Sequence, residues 1–280
     1  MIQELRPEIP LKMLLSVAHL SRSAFYDEIK RMKKGDKYAS VKREIQAFFK
    51  EHQGRYGYRR ITAELENRKI HCNHKVVSRL MKELGLVCRV RMKKYRSYKG
   101  EVGRIAPNLL ERNFEAERPN EKMVTDITEF HLFGQKLYLS ILLDLYRRDI
   151  VSYTISDRPA LKMVTSMLEK ALHKIPDGTN LILHSDQGWH YQNRKYREML
   201  KDKGIRQSMS RKGNCLDNAV VENFFGLLKS ELLYLQKFES MEQFKTELVS
   251  YLEYYNNRRI KLSLGGLPPA VHRRKALGAA

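Results

Sequence analysis

Hydrophobic residues in the first third of the chain recur at helical spacing. Leu11 and Leu15 belong to one apolar stripe, and Ser21 can cap a second short helix that follows a tight turn. With Arg22 near the start of that second helix, the outline predicts a helix-turn-helix segment over residues 1–36. An ordinary helical hairpin fits the same pattern equally well.

A second helical unit of three pieces is predicted over residues 37–88. Ile45, Leu65 and Leu80 each belong to the apolar stripe of one piece, and Gly85 is a typical stop for the last helix. The loop between the first two pieces mixes arginine with tyrosine, and the third helix has a basic face. Such side chains suit phosphate contacts, although a solvated surface has the same composition. The predicted DNA contacts of the two units are Arg22, Arg55, Arg59, Arg60, Lys75 and Arg79.

From residue 122 the pattern changes to short runs rich in β-branched and aromatic residues. Three strand-like runs come first, with a turn at Phe133 and Gly134 between the first two. An amphipathic helix, an apolar strand that ends at Asp186, another helix, a short strand and two closing helices follow. This order is typical of an α/β sheet of ribonuclease-H-like (retroviral integrase-like) fold, here preceded by an all-α helix-turn-helix-like region.

Charge is distributed unevenly along the chain. Its 280 residues include 53 Lys and Arg against 32 Asp and Glu, a net charge of +21, of which +15 falls in residues 1–105. Residues 89–118 are interpreted as a basic linker that orders on DNA, and residues 119–280 as a catalytic core with a helical C-terminal extension. A polyanion, first of all nucleic acid, is the expected partner. A ribosome-associated or merely soluble basic protein is the alternative.

The cysteines indicate neither a disulfide framework nor a zinc site. Cys72, Cys88 and Cys215 are widely spaced. His71 and His74 lie beside Cys72, but a fourth ligand at finger-like spacing is missing. No apolar run approaches the ~20 residues that cross a bilayer, and the N-terminus has no signal-peptide pattern. We expect a reduced cytoplasmic protein without a membrane partner.

Three acidic residues stand out by their context. Asp126 is in the middle of a predicted strand, where a lone carboxylate is costly unless it is paired or metal-bound. Asp186 ends a buried strand, at the edge where open α/β sheets place their ligands. Glu222 lies in a helix otherwise faced with phenylalanine and leucine. Each has an ordinary structural explanation by itself, but the first strand, fourth strand and late helix of this fold converge on one point.

Other residues are alternative members of this site. Asp144 ends the second strand and is interpreted as a structural or supporting residue. Asp217, with Asn218, is expected to cap the next helix and to order the loop that begins at Arg211. His184 is interpreted as packed or hydrogen-bonded, because Mg²⁺ prefers oxygen ligands.

Spacing makes the interpretation more specific. Thirty-five residues separate Asp186 from Glu222, and Lys229 follows seven residues later, two turns along the same helix face. The chain resembles the DDE superfamily of transposases and integrases, whose signature is Asp, Asp, thirty-five residues and Glu, with a basic residue at this offset. From about residue 10 to 275 it is similar to the second-reading-frame (OrfB) protein of insertion-sequence-three type transposases. The segments that carry the similarity are HSDQGWHY, SMSRKGNCLDNAVVENFFGLLKSE, YNNRRIKLSLGGLPPA and GYRRITAEL…NHKVVSRLMKELGL.

The resemblance implies a DNA transposase that cleaves 3′ ends of an insertion sequence and transfers strands. It implies Asp126, Asp186 and Glu222 as the catalytic and metal-binding residues, and contact of Lys229 with the DNA end. Two Mg²⁺ ions, with Mn²⁺ as a substitute, suit in-line displacement at phosphorus because they stabilise both the attacking and the leaving oxygen. Arg211 and Lys212 are further predicted DNA contacts.

Double-stranded DNA is the expected partner, both as the terminal inverted repeats of an insertion sequence and as the target. Paired ends imply a homo-oligomer, at least a dimer on DNA. In the resembled family the first-reading-frame protein, or a fusion to it, is a further partner, and whether this chain acts alone stays open. The expected location is the bacterial cytoplasm, on the nucleoid when DNA is bound.

Other functional classes explain parts of the pattern. A helix-turn-helix regulator without catalysis accounts for residues 1–105 but not for the acids. A stand-alone ribonuclease-H-like nuclease shares the metal chemistry but does not need the helical region. A tyrosine recombinase needs an Arg/His/Arg framework around one tyrosine, which the tyrosine-rich last helix does not offer.

Overall fold

The computed structural model describes residues 2–33, 36–90, 105–211 and 215–278. Lys212 and residues 91–104 of the predicted basic linker therefore lie outside the described residues. No helix in these ranges is both long and apolar enough to cross a membrane. The N-terminal helices are α1 (Ile2–Leu5), α2 (Leu11–Val17), α3 (Arg22–Lys33), α4 (Ala39–Glu51), α5 (Tyr58–Asn67) and α6 (His74–Glu83).

Helices α4, α5 and α6 share one small core, as the apolar stripes predict. Each helix buries one face, and Gly85 follows α6 with a φ of 67°, so that it ends the helix in the left-handed region that glycine adopts easily. Asn73 caps the start of α6 by accepting a hydrogen bond from Lys75 N at 2.8 Å. The buried residues of this core are Ile45, Phe48, Tyr56, Ile61, Leu65, Val77, Leu80, Met81 and Ile260.

The second region is an α/β sheet in the predicted order of elements. Phe133 and Gly134 both have positive φ at the tight turn between the first two strands. The elements are β1 (Lys122–Leu132), β2 (Gln135–Asp144), β3 (Ile150–Ser156), α7 (Leu161–Leu172), β4 (Ile182–Ser185), α8 (Trp189–Gln192), α9 (Arg194–Asp202), β5 (Arg206–Met209), α10 (Ala219–Leu228), α11 (Met241–Asn257) and α12 (Pro269–Gly278).

The sheet has the strand order β3-β2-β1-β4-β5. The first three strands are antiparallel neighbours, whereas β4 lies parallel to both β1 and β5. Because side chains alternate along a strand, β1 contributes to two cores. Val124 and Phe130 pack with α10 and α11 on one face, and Met123 packs with α7 and α9 on the other.

A buried ion pair of the sheet region lies at its junction with the helical region. A short π-helical turn (Lys229–Leu233) follows α10 and carries Glu231. Arg259, just after α11, donates to both carboxylate oxygens of Glu231 at 2.8 and 2.7 Å, and Tyr251 Oη donates at 3.0 Å. From the helical region, Arg55 Nε donates to Glu231 O at 2.9 Å. These contacts fix the two regions against each other.

Candidate active site

The register of β1 and β4 places two of the predicted acids next to each other. Val124 of β1 pairs with His184 of β4 in the parallel ladder. Asp126 and Asp186 each lie two residues further along, on the same sheet face as Val124 and Ile182, which pack with α10. Both carboxylates are half-buried.

Helix α10 brings the third acid and a lysine to the same face. It lies against β1 and buries Val221 and Phe225 in the core, which leaves Glu222 half-buried in its first turn. Two turns later, Lys229 Nζ lies 5.7 Å from the centroid of the Phe130 ring of β1. The helix therefore carries Glu222 and Lys229 along one side, as the seven-residue spacing predicts.

The electrostatics show that these groups affect one another. Burial raises the pKa of Asp126 well above its ordinary value, and the charges of Asp186 and Glu222 raise it further, whereas Lys229 opposes the shift. Burial also raises the pKa of Glu222, with a contribution from Asp186. The pKa of Lys229 is lowered by burial, against the pull of Glu129 and Asp126. The site therefore holds more negative charge than its neighbouring cation offsets.

The loop after β4 holds the Asp186 carboxylate in place. Gly188 N donates to Asp186 Oδ1 at 2.9 Å, and a Cβ at position 188 would lie only 2.9 Å from that oxygen. His190 is buried nearby and donates from Nε2 to Pro159 O at 2.7 Å. Burial raises the pKa of Asp186, while the Gly188 hydrogen bond and the charge of His190 oppose the rise.

The donor set fits a hard divalent cation. The three carboxylates are half-buried, and burial raises the pKa of each. Carboxylate oxygens are ligands that Mg²⁺ takes. As placed among the described residues, no three His, Cys, Asp or Glu side chains form a ready cage for one ion.

The alternative acids have structural partners. Asp144 is buried and accepts from Asn120 N and Tyr146 N, both at 2.9 Å, and from Arg273 at 3.1 Å. These contacts attach α12 to the end of β2, which agrees with the structural interpretation of Asp144. His184 is buried and bonded to Ser208 at 2.8 Å, as expected for a packed histidine.

Asp217 orders a loop but does not act through helix capping. Asn218, at the N-cap of α10, makes no side-chain cap hydrogen bond, so the capping prediction is wrong. Asp217 instead accepts from Arg211 N, Nε and Nη2 at 2.9–3.0 Å and from Arg112 Nε at 3.1 Å. The Arg211 hydrogen bond, with the other arginine, holds the pKa of Asp217 far below its ordinary value. The part of the prediction that concerns the loop at Arg211 is confirmed.

Apart from Arg55 and Lys229, the predicted DNA contacts fall into three groups. Arg22, Arg59, Lys75 and Arg79 are exposed, and Arg79 pairs with Glu83 at 3.3 Å. Arg60 and Arg211 are partly engaged inside the protein, with Glu231 at 3.5 Å and with Asp217. Lys212 lies outside the described residues.

The structure corrects the prediction that Arg55 is a DNA contact. Its side chain is buried against the rings of Tyr251 and Tyr254, at 5.4 and 4.9 Å from the ring centroids, and bonds to Glu231 O. The pattern of basic and aromatic residues around it predicted a DNA contact, whereas the side chain packs between the two regions. The glycine and tyrosine on either side gave no signal that would separate this arginine from the exposed Arg59.

Two residues near Asp186 escaped the sequence reasoning. His190 faces Asp186, and Trp189 is 57% exposed while its ring stacks on that of His190 with 3.9 Å between centroids. An exposed tryptophan ring close to a carboxylate site offers a surface on which a nucleic-acid base can stack. The signal was present in HSDQGWHY, because Trp189 is the one tryptophan of the chain.

Comparisons with known proteins cover most of the chain. Residues 37–94 match the model of an HTH-like domain, and residues 116–215 and 222–277 match models described as integrase core domain. The catalytic core of HTLV-2 integrase, solved with magnesium, is 18% identical, with a TM-score of 0.44 over 56% of this chain and 98% of that one.

Similarity to insertion-sequence proteins extends over nearly the full length. The InsK protein of insertion sequence element IS150 from Escherichia coli (strain K12) is 52% identical over 97% of this chain and 96% of its own. Transposase InsF of insertion sequence IS3A, from the same strain, is 31% identical over 99% and 98%. The chain thus combines an HTH-like region with an integrase core of ribonuclease-H-like fold, and it belongs to the IS150/IS3 family of insertion-sequence transposases.

Proposed function

We propose that this protein is a DNA transposase that cleaves and joins the ends of an insertion sequence, with Asp126, Asp186 and Glu222 as its metal ligands. The observation that carries the proposal is the arrangement of three elements: the parallel ladder of β1 and β4 sets Asp126 beside Asp186, and Glu222 lies on α10, which packs against β1. Family membership supports the reaction class. A buried acid with a structural role usually pairs with an arginine, as Asp144 and Asp217 do.

The chemistry follows from what a phosphodiester requires. Bound divalent ions, Mg²⁺ with Mn²⁺ as a substitute, supply the positive charge that stabilises the attacking and leaving oxygens of an in-line displacement. The carboxylates of Asp126, Asp186 and Glu222 hold that charge in place, and Gly188 N keeps Asp186 oriented. Lys229, beside Asp126 and Glu129, offers an ammonium group to the phosphate of the DNA end.

DNA binding outside the carboxylate site is assigned to the exposed basic residues. Arg22, Arg59, Lys75 and Arg79 present their charges on the helical region, where they suit phosphate contacts. Arg211, which also bonds Asp217, and Lys212, which lies outside the described residues, are the other proposed phosphate contacts. We keep residues 1–36, 37–88, 89–118 and 119–280 as the proposed domains.

The partners of this reaction are double-stranded terminal repeats and target DNA. Two ends must meet, so at least a dimer acts on DNA, and a first-reading-frame protein or fusion is a further proposed partner. The proposed location is the bacterial cytoplasm, with association with the nucleoid through bound DNA.

Strand joining on labelled element ends tests the proposal. With Mg²⁺, the protein is expected to convert a labelled end into joined products, and Asp126→Asn, Asp186→Asn and Glu222→Gln each to abolish cleavage and joining while DNA binding survives. Hydrolysis without joining would identify a nuclease, and binding without cleavage a regulator. Full joining activity in any of the three variants would overturn the assignment of the triad.

A further inference from the structure

A cavity of about 350 Å³ lies on the side of α10 that faces away from the carboxylates. Val220, Asn223 and Leu227 line it, and these positions lie on the helix face opposite to Glu222 and Lys229. Its other walls come from β2, the turn between β2 and β3, helix α5, and the segment after α11. The cavity is therefore distinct from the carboxylate site and lies where the two regions of the protein meet.

Four cationic side chains line this cavity. Arg60 comes from the helical region, Arg148 from the turn before β3, and Arg259 and Lys261 from the segment after α11. Among the described residues, no acidic side chain lines it. Glu231 forms an ion pair with Arg259 at 2.7 Å and lies 3.5 Å from Arg60, so one carboxylate pairs with two of the four cations.

Lys261 is held by neutral oxygens. Its Nζ donates to Tyr255 Oη at 2.7 Å and lies 3.3 Å from Arg148 O, and it is 4.7 Å from the centroid of the Tyr255 ring. Burial, followed by the charges of Arg259 and the other arginines, lowers the pKa of Lys261 to about 7, against the opposing effect of Asp149. Asp149 is itself bonded to another arginine at 2.9 Å. These hydrogen bonds therefore orient Lys261 but supply no negative charge to pair with it.

We propose that this cavity binds one backbone phosphate of DNA through Lys261, Arg148 and Arg60, at about one helix diameter from the carboxylates. A helix with its side chains is roughly 10–12 Å across, so the phosphate would belong to a different nucleotide from the one that reacts. The hydroxyl of Ser263 and the amide of Asn223 also line the cavity and can donate to the phosphate.

The position of the cavity gives this contact a specific consequence. Arg60 belongs to the helical region, whereas Arg148 and Lys261 belong to the sheet region. A phosphate bound here contacts both regions at once and fixes the register of DNA held by the helices relative to the carboxylates. The inference rests on the proposed function only in taking DNA as the ligand.

The salt dependence of DNA binding tests the inference. Each phosphate neutralised on duplex DNA contributes roughly 0.9 to the slope of log affinity against log salt. We expect Lys261→Met and Arg148→Asn each to weaken binding to a labelled duplex and to lower that slope by up to about 0.9, the contribution of the one phosphate that they share. Arg148 is exposed with a φ of 58°, a conformation that asparagine tolerates, so this variant keeps its fold even if Lys261→Met does not.

Lys201→Met is the matched control. Lys201 is exposed on α9, which packs on the opposite face of the sheet, and the change removes the same charge. We expect its slope to stay at the wild-type value. An equal loss in the control, or an unchanged slope in both cavity variants, would overturn the proposal.

The pH dependence supplies a second readout. A phosphate favours the charged form of Lys261, so DNA binding takes up a proton and the affinity rises as the pH falls through 7. Above pH 7, each unit by which the pH falls raises the affinity for DNA by up to about tenfold. Lys261→Met is expected to remove this component, and Arg148→Asn to keep it. An identical pH profile in wild type and Lys261→Met would contradict the assignment.

Free phosphate has the same chemistry as a DNA phosphate, and a separate arm distinguishes the two. Thermal unfolding with inorganic phosphate, at constant ionic strength, is compared for wild type and Lys261→Met. Stabilisation of wild type alone, with unchanged DNA slopes, would identify a small-anion site and reject the DNA contact. The duplex carries no element end and the assay needs no metal, so loss of joining activity would overturn the proposed function without affecting this result.

Discussion

Two clusters, one around a buried carboxylate and one of half-buried carboxylates, use opposite electrostatics in this protein. At the junction of the two regions, Glu231 is buried with Arg259 in a bidentate pair, and this pairing keeps its pKa below the ordinary value despite burial. At the carboxylate site, burial and like charges raise the pKa of Asp126. The first cluster is neutralised within the chain and holds the fold. The second is left with excess negative charge, which a cation from solution can neutralise.

The direction of the pKa shift distinguishes an acid that stabilises the fold from one that is proposed to be catalytic. Removing the charge of Glu231 leaves an unpaired buried arginine, which destabilises the folded state. Removing the charge of Asp126 relieves repulsion, so under the proposed function we expect it to cost activity rather than stability. The following predictions, in order of decreasing effect, test that contrast.

Glu231→Gln is expected to lower the free energy of unfolding by about 3–5 kcal/mol, because Arg259 would remain buried without its partner. Urea unfolding monitored by circular dichroism measures this. Glu242→Gln, an exposed acid at the start of α11, is the control and should change stability very little. A Glu231 variant as stable as the control would show that the pair contributes nothing to the junction.

Gly188→Ala is expected to reduce cleavage by up to about a hundredfold, because its Cβ would push Asp186 Oδ1 out of place. The Tm should change little, since the loop lies at the surface of the site. Gly226→Ala in α10 is the matched control: its Cβ meets nothing within 4 Å. Wild-type cleavage by Gly188→Ala would mean that the position of Asp186 tolerates displacement.

Asp217→Asn is expected to destabilise the protein by about 1 kcal/mol at neutral pH, since its arginine partners are partly exposed and screened. The folded-state pKa of Asp217 is lowered, so its contribution is present above the unfolded pKa of about 4 and is lost as the pH falls toward the folded value. Unfolding curves of the two proteins should therefore converge in acid. A difference that grows as the pH falls would contradict the ion pair.

Much of the fold could be predicted from local pattern. The period-two runs and the Phe133-Gly134 turn predict β1 and β2, and the buried apolar run before Asp186 predicts β4. The spacing of Glu222 and Lys229 predicts their common helix face. These features follow from neighbours in sequence, and the structure has them where the pattern places them.

What could not be predicted depends on contacts distant in sequence. Arg55 resembles a DNA contact until Glu231, 176 residues away, is seen to accept its hydrogen bond. The same holds for Asp217, whose partners decide between capping a helix and binding Arg211. The cationic cavity also gathers residues from four separate segments. The sequence alone does not bring such groups together.

One paired measurement tests the central contrast most directly. Asp126→Asn and Glu231→Gln are compared for strand joining with Mg²⁺ and for the free energy of unfolding without divalent ions. We predict that Asp126→Asn loses joining and unfolds at or above the wild-type free energy, whereas Glu231→Gln loses stability but joins strands in proportion to its folded fraction. Joining by Asp126→Asn, or its destabilisation to the level of Glu231→Gln, would contradict the assignment of Asp126 to catalysis.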